Sequence, residues 1–254
     1  MAGTHFKGPI LFSAQRPALE NLNTGMWPDQ VYYMDDFYAG ALDETLRWTI
    51  VKDSGATAAI VADTLNGEIE LKSAAGVDND GASIQGKHEF LAVPTTAGEK
   101  LYFETRLQTV GAGSTDIFVG LGEVFTTNPE NIFNTNNQIA FVLTEGTSGV
   151  ITGRTKSGGT TTTVTLSPTA DVTLADDTFI TLSFVATKGT TTDKVEFFVN
   201  RKKVGTSISN IPTANMKLQA CSISGTLGGE AMNTKIDYIM AAKDRGVSYP
   251  GQPT

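Results

Sequence analysis

Lys100-Leu-Tyr-Phe-Glu-Thr-Arg-Leu-Gln-Thr109 alternates apolar with polar or amphipathic residues along its length. Leu101, Phe103 and Leu107 belong to one set, and Tyr102 and the charged side chains belong to the other. Successive side chains of a β-strand point to opposite faces, so this period of two predicts a long strand with one apolar face and one wet face.

The same alternation recurs on both sides of that stretch. It is found at Leu46/Trp48/Ile50, Ile69/Leu71, Ile180/Leu182/Phe184, Val195/Phe197/Val199, Met216/Leu218/Ala220 and Ile236/Tyr238/Met240. Residues 117–121 and 139–143 are apolar at almost every position, which indicates central strands. Turns rich in Gly, Asn and Asp separate these runs. The pattern therefore predicts an all-β protein, a two-sheet antiparallel jelly-roll sandwich over residues 31–243.

Residues 1–30 and 244–254 are predicted to be extended arms on either side of the sandwich. Pro9, Pro17 and Pro28 interrupt the first arm and disfavour a helix there. Its apolar side chains are spaced too irregularly for one amphipathic face, so we expect them to lie on the globule or on a partner. The arm residues expected to contact a partner are Phe6, Ile10, Leu11, Phe12 and Trp27.

Composition excludes several classes of protein. The chain has 254 residues, a formal charge of −8 and 40% hydrophobic residues, which fits a folded domain rather than a disordered one. The acidic excess argues against binding to duplex nucleic acid, because such proteins need a cationic surface. No run of 18 apolar residues occurs, so we expect no membrane-spanning helix. Cys221 is the single cysteine, and we expect it to be a small buried hydrophobe.

The order of these segments resembles the concanavalin A-like jelly roll of the laminin-G and laminarinase type. The resemblance rests on Phe118-Val-Gly-Leu-Gly122, on Val195-Glu-Phe-Phe-Val-Asn200 followed by Val204-Gly205, on Asn210-Ile-Pro212 and on Lys235-Ile-Asp-Tyr-Ile239. Arg201 stands where the family has a hairpin Gly. That departure predicts a turn widened through Arg201, Lys202 and Lys203.

A second resemblance concerns the segment Gly3-Thr-His-Phe-Lys-Gly-Pro-Ile10, which is similar to a leader of tailed-phage structural proteins. It implies a non-enzymatic virion protein of the capsid decoration or cement type. Such a protein would be made in the host cytoplasm and would bind the major capsid protein or other virion proteins through its arms. Capsid lattices favour symmetric contacts, so a homodimer or homotrimer is expected.

Catalytic residues are not recognisable in the sequence. Retaining glycosidases place two carboxyl groups about 5–5.5 Å apart, and the laminarinase family carries them in the string Glu-x-Asp-x-x-Glu, which does not occur here. Glu68 and Glu70 share a strand face but oppose Ile69 and Leu71, so they are expected on the surface. The sequence therefore predicts that the protein is not an enzyme, with a glycoside hydrolase of eroded motif as an alternative.

Glycan binding, as a lectin-like adhesion module, is the main alternative to the virion role. Tyr102 is expected to be exposed and to share its face with Arg106, which together could contact a glycan or a protein partner. Arg201, Lys202 and Lys203 form a positive cluster that is either a solvated hairpin tip or a contact to an acidic partner.

No cofactor is expected. The resemblance to laminin-G modules makes calcium the one metal to consider. Asp78 and Asp80 are the candidate ligands, with an ordinary polar turn as the alternative.

Overall fold

A computed structural model describes residues 30–38, 40–61, 67–74, 77–89, 91–225 and 232–244. Over these residues the protein is built from β-strands and two short 3-10 helices (Pro129–Asn134 and Thr169–Asp171). The strands are β1 (Gln30–Asp35), β2 (Trp48–Lys52), β3 (Thr57–Ile60), β4 (Ile69–Lys72), β5 (Gly81–Gly86), β6 (Lys100–Val110), β7 (Thr115–Gly122), β8 (Gln138–Leu143), β9 (Thr152–Ser157), β10 (Thr160–Val164), β11 (Ile180–Thr187), β12 (Lys194–Val199), β13 (Lys202–Ser207), β14 (Lys217–Ser224) and β15 (Asn233–Asp244).

The strands form two antiparallel sheets, which confirms the predicted all-β sandwich. The eight-stranded sheet has the order β13-β12-β11-β6-β15-β4-β3, and β1 also pairs with β15. The seven-stranded sheet has the order β10-β9-β8-β7-β14-β5-β2. Among the described residues, no helix is long and apolar enough to cross a membrane.

The core between the sheets follows the predicted period of two. Leu101, Phe103 and Leu107 of β6 are fully buried in it, as is Trp48 of β2. Leu46 departs from the pattern, because it lies in a turn before β2 and is 69% exposed. The alternation therefore identified the inward face of the strands and failed where the strand had not yet begun.

Aromatic rings connect the two sheets at the centre of the core. Phe103 and Phe184 stack on neighbouring strands of the eight-stranded sheet, with ring centroids 4.9 Å apart. Phe141 of β8, in the opposite sheet, meets Phe197 of β12 edge to face at 5.3 Å. Gly153 of β9 makes room for this contact, because a Cβ there would lie 3.0 Å from the Phe197 ring.

Each sheet also carries apolar residues on its outer face. On the eight-stranded sheet they are Tyr102, Val185, Tyr238, Met240 and Ala242. On the seven-stranded sheet they include Val51, Phe118, Ala140, Val142, Cys221 and Ile223. These faces are consequently less polar than the alternation predicted.

The predicted arms lie almost wholly outside the described residues. The first described strand begins at Gln30 and the last ends at Asp244. Phe6, Ile10, Leu11, Phe12 and Trp27, which were expected to contact a partner, are all outside the described residues. The boundaries at residues 30 and 243 and the role of the arms stay predictions.

The predicted widening of the turn after β12 is wrong. Val199 pairs directly with Lys202, so Asn200 and Arg201 form a two-residue turn. Their φ angles are 46° and 71°, as a type I′ turn requires. Asn200 tolerates this region, and its side-chain oxygen accepts the Thr181 N–H at 2.9 Å. These contacts fix the tight turn and leave Arg201 in a left-handed conformation that a glycine adopts without strain.

We expect Arg201→Gly to raise the free energy of unfolding by about 0.5–1 kcal/mol. The left-handed conformation costs a non-glycine residue about 1–2 kcal/mol, and glycine removes this cost from the folded state. Glycine also has more conformational freedom in the unfolded chain, which offsets about 0.4–1 kcal/mol of the stabilisation. Urea denaturation measures the change. Arg201→Ala is the control, because it removes the side chain and keeps the strain. Equal stabilisation by both substitutions would contradict the assignment of strain.

Candidate functional site

The outer face of the seven-stranded sheet is covered at one end by the loop between β7 and β8, residues 123–137. Phe125 and Ile132 of the loop are buried against the apolar residues of that face. Phe133 is partly buried there, and its ring meets Phe118 edge to face at 5.9 Å. The loop is therefore packed onto the sheet through apolar side chains.

Hydrogen bonds from the sheet to the main chain of the loop add to this packing. Five side chains of the outer face donate to five different carbonyl groups. The bonds are Gln219 Nε2 to Glu123 O (2.7 Å), Gln85 Nε2 to Phe125 O (2.6 Å), Gln138 Nε2 to Ile132 O (2.7 Å), Arg154 Nη1 to Phe133 O (3.4 Å) and Lys156 Nζ to Asn134 O (3.2 Å). Burial lowers the pKa of both Arg154 and Lys156.

Opening this loop would be expensive. Exposing Phe125 and Ile132 costs about 1.5–3 kcal/mol for each side chain. Losing the five hydrogen bonds costs about 0.5–1.5 kcal/mol for each. The lower limits total about 5.5 kcal/mol, which the conformational entropy of the released loop offsets in part. This end of the sheet face is therefore closed, and a ligand site has to be sought elsewhere.

Asp116 lies on the outer face of β7, at the end of the strand opposite to this loop. Its Oδ1 accepts the Glu145 N–H at 2.6 Å. Burial raises its pKa, and the negative charges of Glu145 and Asp78 act in the same direction, whereas the hydrogen bond from the Glu145 N–H and the positive charge of Arg154 oppose the shift. A half-buried carboxyl group whose proton is retained to higher pH can act as a general acid.

A pocket of about 310 Å³ lies at the edge of the sandwich, beside the connection between β1 and β2. Its volume is in the range of small-molecule sites. Its polar lining comes from Asp35, Asp36, Tyr38, Asp43 and Arg47. Ile60 of β3 contributes to the apolar part. The pocket therefore combines an aromatic residue, carboxylates and a guanidinium.

The backbone after β1 places Tyr38 at the rim of this pocket. Phe37 has a φ of 52°, which is uncommon for a bulky residue, and its side chain is 1% exposed. Its ring packs 5.9 Å from the Trp48 ring, so the strained residue is held by the core. Tyr38 follows with 74% of its surface exposed. Gly67 packs against this segment, since a Cβ there would lie 2.6 Å from the Asp36 carbonyl oxygen.

Asp35 fixes the backbone of the pocket through hydrogen bonds from Phe37 and Trp48. Its Oδ1 accepts the Phe37 N–H at 2.9 Å, and its Oδ2 accepts the Trp48 indole N–H at 2.7 Å. Arg47 makes a longer contact to the same Oδ2 at 3.5 Å. Asp43 accepts the N–H groups of the turn that follows it and so fixes the path from the pocket to β2. The sequence analysis missed this pocket, although the run Asp35-Asp36-Phe37-Tyr38 between two periodic segments was a signal.

Tyr102 is not the exposed residue that the sequence predicted. It is 2% exposed, and it packs with Val185, Tyr238 and Met240 on the outer face of the eight-stranded sheet. Burial raises its pKa. The expectation was wrong because the outer face of this sheet has its own apolar cluster, so a residue out of phase with the core is buried as well.

Three of the four positively charged candidates form ion pairs within the chain. Arg106 forms an ion pair with Asp237 at 2.7 Å, and its guanidinium lies 4.1 Å from the centre of the Phe179 ring. Lys202 pairs with Asp171. These ion pairs reduce the positive charge that Arg106 and Lys202 present to a partner. The predicted role of the two residues in binding stays a prediction.

Arg201 is exposed at the tip of the hairpin. Lys203 pairs with Glu196. Burial alone would raise the pKa of Glu196, but hydrogen bonds from Lys203 and Lys194 hold it below its usual value. The predicted positive cluster is therefore partly neutralised.

The two calcium candidates are not brought together with other ligands. Asp80 is 4% exposed, and its Oδ1 accepts the Ala74 N–H at 2.9 Å. Asp78 is exposed in the same turn. Across the described part of the chain, no three His, Cys, Asp or Glu side chains are grouped so that they could hold a metal ion.

No protein-family model matches the chain, and no curated protein matches its sequence. Solved structures do match its fold. An endo-1,3-β-glucanase from Streptomyces sioyaensis has a TM-score of 0.59 at 14% identity, over 85% of this chain and 97% of that one. A β-1,3-1,4-glucanase (lichenase) from a mouse hindgut metagenome has 0.54 at 12% identity, over 85% and 99%. The carbohydrate recognition domain of Emp47p has 0.55 at 12% identity, over 84% and 94%.

These similarities show that the chain has the concanavalin A-like jelly-roll fold of glycosidases and lectins. The matches give no support to the resemblance to capsid decoration proteins. The prediction that the protein is not an enzyme is contradicted, because endoglucanases share the sandwich. That prediction rested on a missing acidic string, and at 12–14% identity the residues of a site can change while the fold persists.

We expect Ile132→Ala to lower the free energy of unfolding by about 2–4 kcal/mol, as for other buried large-to-small substitutions. Ile132 is fully buried although it lies in a loop. Denaturant unfolding followed by tryptophan fluorescence measures the loss. Val124→Ala in the same loop is the control, because Val124 is 46% exposed and should change stability by less than about 0.5 kcal/mol. Similar small effects of both substitutions would show that the loop is not packed on the sheet.

Proposed function

We propose that the protein binds oligosaccharides in the pocket beside Tyr38. One observation carries this proposal: an exposed tyrosine lines a pocket of about 310 Å³ whose charged lining consists of carboxylates and a guanidinium. The aromatic face suits the C–H groups of a sugar ring, because Tyr offers a large apolar surface with a polar end. Carboxylates accept hydrogen bonds from hydroxyl groups, and Arg47 donates to hydroxyl and ring oxygens.

The fold supports this function without assigning it. Two of the similar structures are glucanases and a third is a carbohydrate recognition domain. Fold similarity at this identity carries no residue roles, so the proposal rests on the pocket itself. β-Glucan oligosaccharides are the first probes, since the names of the similar glucanases include these polymers.

Glycoside hydrolysis is the second candidate function. The observation that favours it is Asp116, a half-buried carboxyl group of raised pKa whose backbone-bound neighbour Glu145 supplies a second carboxylate. In such an enzyme, Asp116 would give its proton to the leaving oxygen, and a carboxylate would act as nucleophile or base.

The virion role predicted from the sequence stays a prediction. It depends on residues 1–30, nearly all outside the described residues, and on a capsid lattice as partner. Synthesis in a host cytoplasm stays a prediction as well. So does assembly into a homodimer or homotrimer. Saccharide binding and a place on a virion are compatible, since adhesion to a glycan is one task of a virion surface.

We expect Tyr38→Ala to raise the Kd for laminaripentaose, or for a mixed-linkage gluco-oligosaccharide, at least tenfold. The substitution removes the ring on which a sugar would stack, and a tenfold change corresponds to about 1.4 kcal/mol. Isothermal titration calorimetry measures the Kd values. Tyr32→Ala is the matched control, because Tyr32 is half exposed on β1 and does not line the pocket. Unchanged binding after Tyr38→Ala would place any saccharide site elsewhere.

We expect Asp116→Asn to lower the rate of β-glucan hydrolysis at least 100-fold if the protein is a hydrolase, within the range of general-acid effects of about 10²–10⁴. In the unsubstituted protein the rate should fall as pH rises through the raised pKa of Asp116, because the general acid must hold its proton. A reducing-sugar assay over a range of pH measures both effects.

Asp53→Asn is the control for this experiment. Asp53 also has a pKa raised by burial, but it follows β2 at the far edge of the same sheet, with β14 and β5 between β2 and β7. Turnover that survives Asp116→Asn, or no turnover of any β-glucan by the unsubstituted protein, would contradict this second function.

A further inference from the structure

We infer that the pocket beside Tyr38 selects saccharides that carry a protonated amine over neutral and acidic ones. This inference rests on the proposed saccharide binding and adds a ligand class to it. The pocket lining holds three carboxylates against one guanidinium. The identity of the favoured ligand depends on which of these charges are already neutralised inside the protein.

Asp35 and Arg47 largely neutralise each other. Arg47 Nη1 lies 3.5 Å from Asp35 Oδ2, and the same oxygen accepts the Trp48 indole N–H at 2.7 Å. The other oxygen of Asp35 accepts the Phe37 N–H. Both oxygens of this carboxylate are therefore used by the protein, and Asp35 acts as a support for the pocket rather than as a contact to ligand.

Asp36 and Asp43 are in a different position. Asp36 uses Oδ1 for the Tyr38 N–H at 3.4 Å, a weak contact. Asp43 uses Oδ1 for the N–H groups of Thr45 and Leu46, at 3.1 and 2.9 Å. Within the described ranges, neither carboxylate takes part in an ion pair. Two negative charges of the pocket therefore have no cationic partner, and each keeps an oxygen for a ligand.

A protonated amine matches this arrangement. An ammonium group has three donors and can bind carboxylate oxygens with charge-assisted hydrogen bonds, which are stronger than those of a hydroxyl group. The exposed face of Tyr38 attracts a cation as well. The net charge of −8 acts in the same direction and repels uronate or sulfated sugars. Amino sugars are consequently the saccharide class that fits the lining.

The experiment compares three oligosaccharides of one backbone, the β-1,4-linked trimers of glucose, glucosamine and glucuronate. The pH is set between the pKa values of the carboxyl and amino groups, and calorimetry gives the Kd values. We expect the glucosamine trimer to bind at least tenfold more tightly than cellotriose, and the glucuronate trimer to bind more weakly than cellotriose. The advantage of the amine should shrink as salt is added, because screening weakens exposed charge pairs.

Asp36→Asn and Asp43→Asn identify the source of the preference. Asn keeps the side-chain oxygen that accepts the backbone N–H groups, so the turn is preserved while the charge is removed. Each substitution should lower the ratio of the cellotriose Kd to the glucosamine-trimer Kd at least threefold, and the double substitution should bring that ratio to about one. Glu44→Gln is the matched control, because Glu44 is exposed next to Asp43 and does not line the pocket.

The outcomes separate this inference from the proposed function. Equal binding of cellotriose and the glucosamine trimer would overturn the inference and leave saccharide binding intact. A preference for the amine that persists in the double substitution would also overturn it, because the charge responsible would then lie outside the pocket. Failure of all three trimers to bind would overturn the inference alone, because the proposed function is decided separately by the titration with laminaripentaose.

Discussion

Phenylalanine rings hold the two sheets together at the centre of the core, and the rest of the structure depends on this contact. Phe103 and Phe184 stack within one sheet, and Phe141 reaches across from the other sheet to Phe197. The space for the last ring exists because Gly153 has no side chain. Close packing of this kind fixes the relative position of β6, β8 and β12. The outer faces and the edges are then free to differ from those of other sandwiches.

Periodicity predicted the fold because burial of one strand face is a local property. Spacing predicts the strand of Phe103 and the burial of Trp48, and a run that is apolar at almost every position predicts the strand of Phe141. The outer faces did not follow, because spacing gives the side of a strand and not what covers that side. Spacing alone therefore places Tyr102 in solvent, although a second apolar cluster buries it. The tight turn at Asn200 and Arg201 is likewise hidden from the sequence, because tertiary contacts compensate for the positive φ angles of these two residues.

The candidate site could not be predicted from the sequence for a related reason. Its polar groups lie between β1 and β2 in a segment without periodicity, and Ile60 joins them from β3. Strand motifs are readable from periodicity, whereas this pocket lies at an edge of the sandwich between β1, β2 and β3. Phe37 supplies the decisive geometry, since its left-handed backbone buries one aromatic ring and exposes the next. The buried ring of Phe37 thus joins this segment to an ordinary apolar core, while its neighbours form a pocket rich in carboxylates.

The way in which residues 123–137 are held has a consequence for redesign. The sheet binds their carbonyl groups, and a carbonyl group is present whatever amino acid occupies the position. These bonds therefore do not depend on which side chain the loop residue carries, whereas the packing of Phe125, Ile132 and Phe133 does. Val124 and Asn136 are exposed, so a foreign recognition residue grafted at either position leaves these carbonyl contacts in place.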